Sequence, residues 1–252
     1  MEIIGRGFVA QNFRTIAHRH PDVVVYATGV ASTTATSSAD FGRDAEQLYE
    51  TIRACRSSGR RLVFLSTASS AMYGAVEGAA VEDGPVFPSM PYGRHKLAME
   101  VAVARSGVDF LICRMTNLVG PSQRPHQLLP SLVAQVRSGR VRVHSGAHRD
   151  LLDVAHARAA MDGLLEAGVS GETVNLASGF SVPVEDVVAY IEQQLGMKAR
   201  RETVAPAGQG SAAPVSIAKL ARLLPGIEQR FGLGPRYFEN VISRYLDSPV
   251  PA

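Results

Sequence analysis

Short runs of β-branched and aromatic residues alternate with longer amphipathic stretches along this chain. The runs fall near residues 2–5, 22–27, 61–66, 109–114, 142–144 and 173–176. The helical patterns fall near 8–18, 40–57, 92–106, 127–138, 154–167, 184–195 and 235–246. Strands separated by helices pair through crossovers, so the alternation predicts an α/β fold with a mostly parallel sheet covered by helices. Asp40 is the expected cap of the second helix. Its Phe41, Leu48, Ile52 and Cys55 recur at helical spacing. Pro183 is expected in the first turn of a later helix.

The first run enters a G-x-G-x-x-A turn, Gly5-Arg6-Gly7-Phe8-Val9-Ala10. Small residues let a backbone approach a pyrophosphate, and the N-terminus of the following helix offers free N–H groups to anionic oxygens. Its position at the first strand-to-helix junction strengthens the pattern, although a tight turn that binds nothing is also compatible with it. Further along stands Tyr92-Gly93-Arg94-His95-Lys96. A spacing of four places Tyr92 and Lys96 one helical turn apart on one face. An ammonium beside a phenol favours the phenolate and lowers its pKa from about 10 toward neutrality, making it a usable proton donor or acceptor. Thr67, at the end of the strand that precedes this helix, can hydrogen-bond the same substrate oxygen. The bare pair also fits an ordinary helix-surface contact.

Further segments occur in an order that resembles the short-chain dehydrogenase/reductase superfamily, in particular its extended branch of nucleotide-sugar epimerases, dehydratases and ketoreductases. Gly7-Phe8-Val9-Ala10 resembles the G-F-I-G turn of that branch, and Ala27-Thr28-Gly29 its A-A-G element. Leu65-Ser66-Thr67 through Met72-Tyr73-Gly74 resembles S-S/T…V-Y-G. Arg114 through Asn117 to Gly120-Pro121 resembles R-x-x-N-x-Y-G-P, and Arg149-Asp150 through Asp153-Val154 resembles R-D-F-x-x-V. The resemblance covers roughly residues 1–200.

It implies a Rossmann-like doubly wound parallel sheet with a small C-terminal substrate lobe, in one compact domain spanning residues 1–252. The dinucleotide-binding core would take residues 1–115 and 140–176, and the substrate lobe 116–139 and 177–252. It implies cofactor contacts at Gly5, Arg6, Gly7, Phe8, Val9, Ala27, Thr28, Gly29, Tyr92 and Lys96. Catalysis would fall to Thr67, Tyr92 and Lys96, with substrate contacts at Ser69, Asn117, Arg124 and Arg149. For Arg124 and Arg149 a solvated arginine or an ion pair is the plain alternative. His126 reads as a surface histidine and His95 as structural. The irregular stretch 75–91 is expected as a loop over the site, and the Gly/Pro/Ala-rich stretch 204–214 as a flexible one. Residues 216–224 resemble the short helix near the end of extended reductases.

The chain departs from the pattern in two places. The first helix runs out near His18-Arg19-His20, and the next strand looks like the family's fourth. One strand–helix–strand section, which normally carries the residue reading the adenosine ribose, is missing. Between Thr67 and Tyr73 there is also a two-residue surplus. Counting from the strand selects Thr67 as the active hydroxyl, and counting back from Tyr73-Gly74 selects Ser69.

Composition narrows the function classes. Hydrophobic residues make up 46% and charged residues 19%, with a net charge of +3. The basic residues are scattered, without the concentrated stripe of a nucleic-acid binder. Apolar runs stop well short of the ~18 residues of a membrane span. Cys55 and Cys113 are expected as free thiols of a reducing compartment. The chain opens on a core strand rather than a basic-then-apolar leader, so a cytoplasmic protein is expected. Metal-ligand spacing and the G-x-S-x-G elbow of a serine hydrolase are both lacking, so no metal is expected.

The reading that follows is NAD(P)H-dependent reduction of a keto group on a nucleotide-linked deoxysugar, of the 4-keto-6-deoxyhexose type. Tyr92 would donate the proton and the nucleotide-diphosphate sugar would be the partner. NADPH is favoured over NAD(H), because Arg6 sits in the turn and no acidic residue lies between Gly5 and His20. An epimerase with retained NAD and a non-catalytic dinucleotide-binding regulator are the alternatives. Dehydration is disfavoured, because Ala68-Ser69 follows Thr67 where dehydratases commonly carry Asp-Glu. The oligomeric state, a homodimer included, stays open.

Overall fold

The structure is a computed structural model, which describes residues 1–30, 36–74, 76–205 and 213–248. In chain order the first half holds β1 (Glu2–Ile4), α1 (Phe8–Phe13), β2 (Val23–Tyr26), α2 (Ser38–Ser58), β3 (Arg61–Thr67), α3 (Ser70–Tyr73), α4 (Pro91–Ala104), β4 (Phe110–Met115) and β5 (Asn117–Val119). The second half holds α5 (Leu128–Arg137), β6 (Arg140–His144), β7 (His148–Arg149), β8 (Leu151–Asp153), α6 (Val154–Glu166), β9 (Glu172–Leu176), β10 (Val182–Pro183), α7 (Val184–Leu195), β11 (Arg200–Val204), α8 (Ala218–Leu223), α9 (Ile227–Phe231) and α10 (Tyr237–Asp247).

The central sheet is parallel, in the order β1-β2-β3-β4-β9. Its middle strand β3 is buried from Leu62 to Thr67, and each of its fully buried apolar side chains contributes roughly 1.5–3 kcal/mol. On one face Val24, Tyr26, Leu62, Phe64 and Ile112 pack against Leu48, Ile52 and Cys55 of α2 and Met99 and Val103 of α4. On the other, Val25, Val63, Leu111 and Val174 belong to a larger core with Phe13, Ala157, Met161 and Leu164. Helices therefore cover both faces, which is the Rossmann-type arrangement. Among the described residues β1 pairs only with β2 and forms the sheet edge. The missing section thus leaves the glycine-rich turn on an outer strand.

Several local expectations change. Ser37, not Asp40, caps α2: its side chain accepts from the Asp40 N–H at 3.2 Å, and Asp40 sits in the first turn, where a negative charge suits the helix dipole. The first helix ends at Phe13 and tightens into a 3₁₀ segment, Arg14–Arg19. Pro183 stands one position ahead of α7, with ψ 136°, outside the helical region. The strand expected near 142–144 is β6, which pairs with β11 in a separate two-stranded sheet rather than joining the central one. Of the stretch expected to be flexible, residues 206–212 lie outside the described residues, as does residue 75 of the loop before Tyr92. No helix of the described chain is long and apolar enough to cross a membrane.

Candidate active site

The C-terminal ends of parallel strands are where α/β sheets place their chemistry. β1 ends at the glycine turn. There Gly5 has φ +139°, and a Cβ on it would lie 2.4 Å from the Ala27 carbonyl oxygen. Only glycine lets this turn press against the end of β2. Around Gly7, by contrast, a Cβ would meet nothing within 4 Å, so open space lies before the first turn of α1. Phe8 is buried in the core and Val9 packs against it, which fixes α1 behind the turn. Arg6 is exposed.

β3 ends at Thr67, and the chain turns at once into α3. Thr67 Oγ1 donates to Ser69 Oγ at 2.9 Å and accepts from the Ser69 N–H at 3.2 Å. Ser69 caps α3 through the Ala71 N–H. Both counts of the hydroxyl therefore arrive at one place, with Thr67 fixed by the strand and Ser69 occupied as a cap. α4 then enters with Pro91 at its first position and carries Tyr92, buried, beside Thr67. Gly93 permits that approach, since a Cβ there would fall 1.6 Å from the Ala71 carbonyl oxygen.

The electrostatics reverse an expectation. Burial pushes the Tyr92 phenol up to about 12; a hydrogen bond with Thr67 pulls the other way, and the Asp44 charge adds to the rise. Lys96 does not bring it down. The Lys96 ammonium is buried, lies 5.1 Å above the Phe64 ring centre and donates to the Leu65 carbonyl at 3.5 Å. Burial lowers its own pKa, opposed by Asp44 and Glu100. At neutral pH Tyr92 is thus a protonated phenol.

A buried polar network behind the site was not foreseen. Arg114 donates to both oxygens of Glu100, to the Tyr73 hydroxyl at 3.1 Å and to the Glu82 carbonyl at 3.2 Å. Ser66 donates to Glu100, and Tyr73 donates to Asn175 Oδ1 at 2.7 Å. Glu82 accepts the Asn175 N–H, and Ala80 pairs with Pro214 and Ser216. The irregular segment before Tyr92 is therefore tied into the core by its Ala80–Glu82 part. The visible signal was Tyr73 and Arg114 in their motifs, but their partners lie far along the chain.

A separate cavity of about 320 Å³ is lined by His126, Ser131, Gln135, Arg142, His144 and Arg149, with apolar residues of α5 and α7. The lining does not include Thr67, Tyr92 or Lys96. Arg149 donates to the His148 carbonyl, and no carboxylate among the described residues pairs with it. Burial lowers its pKa, the mark of a cation lacking a countercharge. Arg124 is exposed and outside that lining. The Asn117 side chain donates to the Asp150 carbonyl at 3.1 Å, just ahead of β8, the strand that pairs with β5. His95 is buried against Asp44 and Phe41.

The model of the NAD-dependent epimerase/dehydratase family matches residues 10–177. The chain belongs to this family. Among curated relatives, a dTDP-glucose 4,6-dehydratase of Streptomyces niveus is 31% identical over 168 residues, covering 64% of this chain and 50% of that protein. The dTDP-6-deoxy-L-talose 4-dehydrogenase (NAD(P)(+)) of Kitasatospora kifunensis is 28% identical over 181 residues, covering 66% of this chain and 56% of that one. The chain spans about half the length of the curated relatives it matches. Two solved structures superpose with a TM-score of 0.80, each covering 97% of this chain and 96% of its own: MoeE5 in complex with UDP-glucose and NAD, 18% identical, and RMD from Pseudomonas aeruginosa complexed with NADPH, 19% identical. At those identities the likeness concerns the fold, a member of the epimerase/dehydratase family shortened at its cofactor-side edge.

Proposed function

We propose that this protein reduces a keto group on a nucleotide-linked deoxysugar, of the 4-keto-6-deoxyhexose type, with NADPH as reductant. The observation that carries the reading is the buried Thr67–Tyr92 pair at the end of β3, with a phenol held protonated. A protonated tyrosine is the form that gives a proton to the oxygen of a ketone as it is reduced. The glycine turn fits a dinucleotide pyrophosphate: Gly5 permits its shape, and the space before Gly7 stays open. When bound, the nicotinamide supplies the hydride.

The remaining roles belong to the chain. Thr67 hydrogen-bonds the ketone oxygen and orients it toward Tyr92. Lys96, which donates to the Leu65 carbonyl, would hold the nicotinamide ribose. Arg149 and the histidines of the cavity hold the diphosphate, whose charge answers the unpaired guanidinium. Ala27, Thr28 and Gly29 at the end of β2 would hold the cofactor, and the backbone of Phe8 and Val9 would hold its pyrophosphate. The described residues of 116–139 and 177–252, joined by the 142–149 segment that carries Arg142, His144 and Arg149, serve as the substrate lobe at this cavity.

Reduction is supported over dehydration because Ala68-Ser69 follows Thr67, leaving no carboxylate there for water elimination. An epimerase must retain its NAD, and the outer position of β1 leaves the adenosine half without a neighbouring strand. The K. kifunensis relative is a 4-dehydrogenase, in keeping with the same bond being made or broken. For the cofactor, Arg6 is the discriminator, because a guanidinium grips a 2′-phosphate by a charge-assisted contact of roughly 1.5–3 kcal/mol.

NAD(P)H oxidation against a panel of nucleotide-linked 4-ketosugars tests the activity; no turnover with any of them sinks it. Competitive titration of NADPH and NADH should give a ten- to hundredfold preference that Arg6→Ala removes. Equal affinities in the wild type would refute the assignment.

A further inference from the structure

A buried carboxylate on α2 touches both halves of the site. Asp44 accepts from the Tyr26 hydroxyl at 2.6 Å and from the Val30 N–H at 3.3 Å. Its carboxylate presses on the backbone at Gly29, where a Cβ would lie 2.0 Å from Oδ1. It thereby grips the segment that follows β2. Its other face meets α4, where His95 Nε2 lies 2.8 Å from Oδ2. Both side chains are almost sealed from water, 8% exposed for His95 and 3% for Asp44. The imidazole ring leans on Phe41, with ring centres 4.7 Å apart.

We propose that Asp44 is a positioning residue that joins the cofactor-side segment 27–30 to the Tyr92–Lys96 face of α4, with His95 as its clasp and Lys96 as its countercharge. The proposal rests on the reading of Tyr92 as the proton donor. The charged and titratable groups around it are Tyr26 from β2, and His95, Tyr92 and Lys96 from α4. Glu100 is the other carboxylate acting on Lys96, but Arg114 occupies both of its oxygens and Ser66 donates to it as well. Among the described residues, Asp44 is the one that no arginine pairs with. The Asp44 charge opposes phenolate formation at Tyr92 and favours the charged form of Lys96. One residue therefore adds to the burial that keeps the donor proton-bearing and opposes the burial that disfavours the charged ammonium. A merely structural Asp44 would leave both unaffected once the fold survives.

The test needs no substrate. The protein is labelled with 3-fluorotyrosine, whose more acidic phenol titrates where the fold persists, and the Tyr92 resonance is assigned by its loss in Tyr92→Phe. In Asp44→Asn, which keeps an acceptor for Tyr26 and removes the charge, the Tyr92 ionisation step should move to lower pH by on the order of one unit, a tenfold rise in its ionisation constant. Asp44→Ser, with less bulk, should move it the same way and serves if the asparagine variant does not fold. An unmoved step in either folded variant overturns the proposal. The proton-donor reading fails separately: if Tyr92→Phe reduces ketosugars at the wild-type rate, that reading falls whatever the fluorine step does.

Discussion

Asp150 offers the sharpest quantitative check on the site's supporting structure. It is buried beside Arg149 and accepts from Thr116 Oγ1 at 3.1 Å, the Ser178 N–H at 2.9 Å and the Gly179 N–H at 3.0 Å. These bonds tie the turn after β9 and the Thr116 link between β4 and β5 to the residue that follows Arg149. Burial outweighs them and pushes the carboxyl from 3.8 up to about 6. A rise of roughly two units corresponds to about 3 kcal/mol. Because the folded state binds this proton more tightly than the unfolded state, the contribution favours folding at low pH. It is fully present below about pH 4 and is lost as the pH climbs through about 6. Asp150→Asn has no such titration. Urea unfolding of both proteins at intervals from pH 4 to 7.5 isolates the effect as a difference, cancelling the other carboxylates. The wild type should lose about 3 kcal/mol relative to the variant across that range. A difference that stays flat, or grows in the opposite direction, would show that the three hydrogen bonds and not burial govern Asp150.

Tyr92→Phe should lower turnover by roughly two to four orders of magnitude with little change in cofactor affinity, read from steady-state rates and NADPH fluorescence titration. Wild-type turnover would remove Tyr92 from the mechanism. Thr67→Val should impair turnover more than Ser69→Ala, since Thr67 is fixed by the strand and adjoins Tyr92; the reverse ranking would assign the substrate contact to Ser69. Arg149→Met should weaken nucleotide-sugar binding about tenfold or more, at the scale of one lost charge-assisted contact, and calorimetry with the free nucleoside diphosphate measures it. Glu100→Gln leaves the buried Arg114 without its countercharge and should cost about 3–5 kcal/mol. At roughly 2–4 °C per kcal/mol in a chain of this size, an unchanged melting temperature would contradict the network.

The central fold was legible because its strands are long, apolar and separated by helices; all five strands of the main sheet lie within a residue or two of the runs read from the sequence. The short pairs β7–β10 and β5–β8 were invisible, since two or three residues carry no period. The 3₁₀ segment after Phe13 escaped because helical spacing does not separate a tight turn from a regular one. Thr67, Tyr92 and the glycine turn could be found as patterns. The sign of the Tyr92 perturbation could not, because it depends on how deeply α4 seats the phenol and on where Lys96 points. Asp44 gave no local signal at all. Its partners Tyr26 and His95 lie 18 and 51 residues away, and such convergence exists only in three dimensions.

Among the described residues, the outer position of β1 leaves the sheet open to a further strand at that edge. The 3₁₀ segment is clamped by Arg19 and His20 on Asp162 of α6, and the exposed Pro21-Asp22 turn leads straight into β2. A strand–helix–strand graft at that turn would meet a sheet edge that no strand among the described residues pairs with, leaving the buried core undisturbed. Swapping or omitting the ribose-reading section is then a change at the rim, open to exchange between otherwise identical scaffolds.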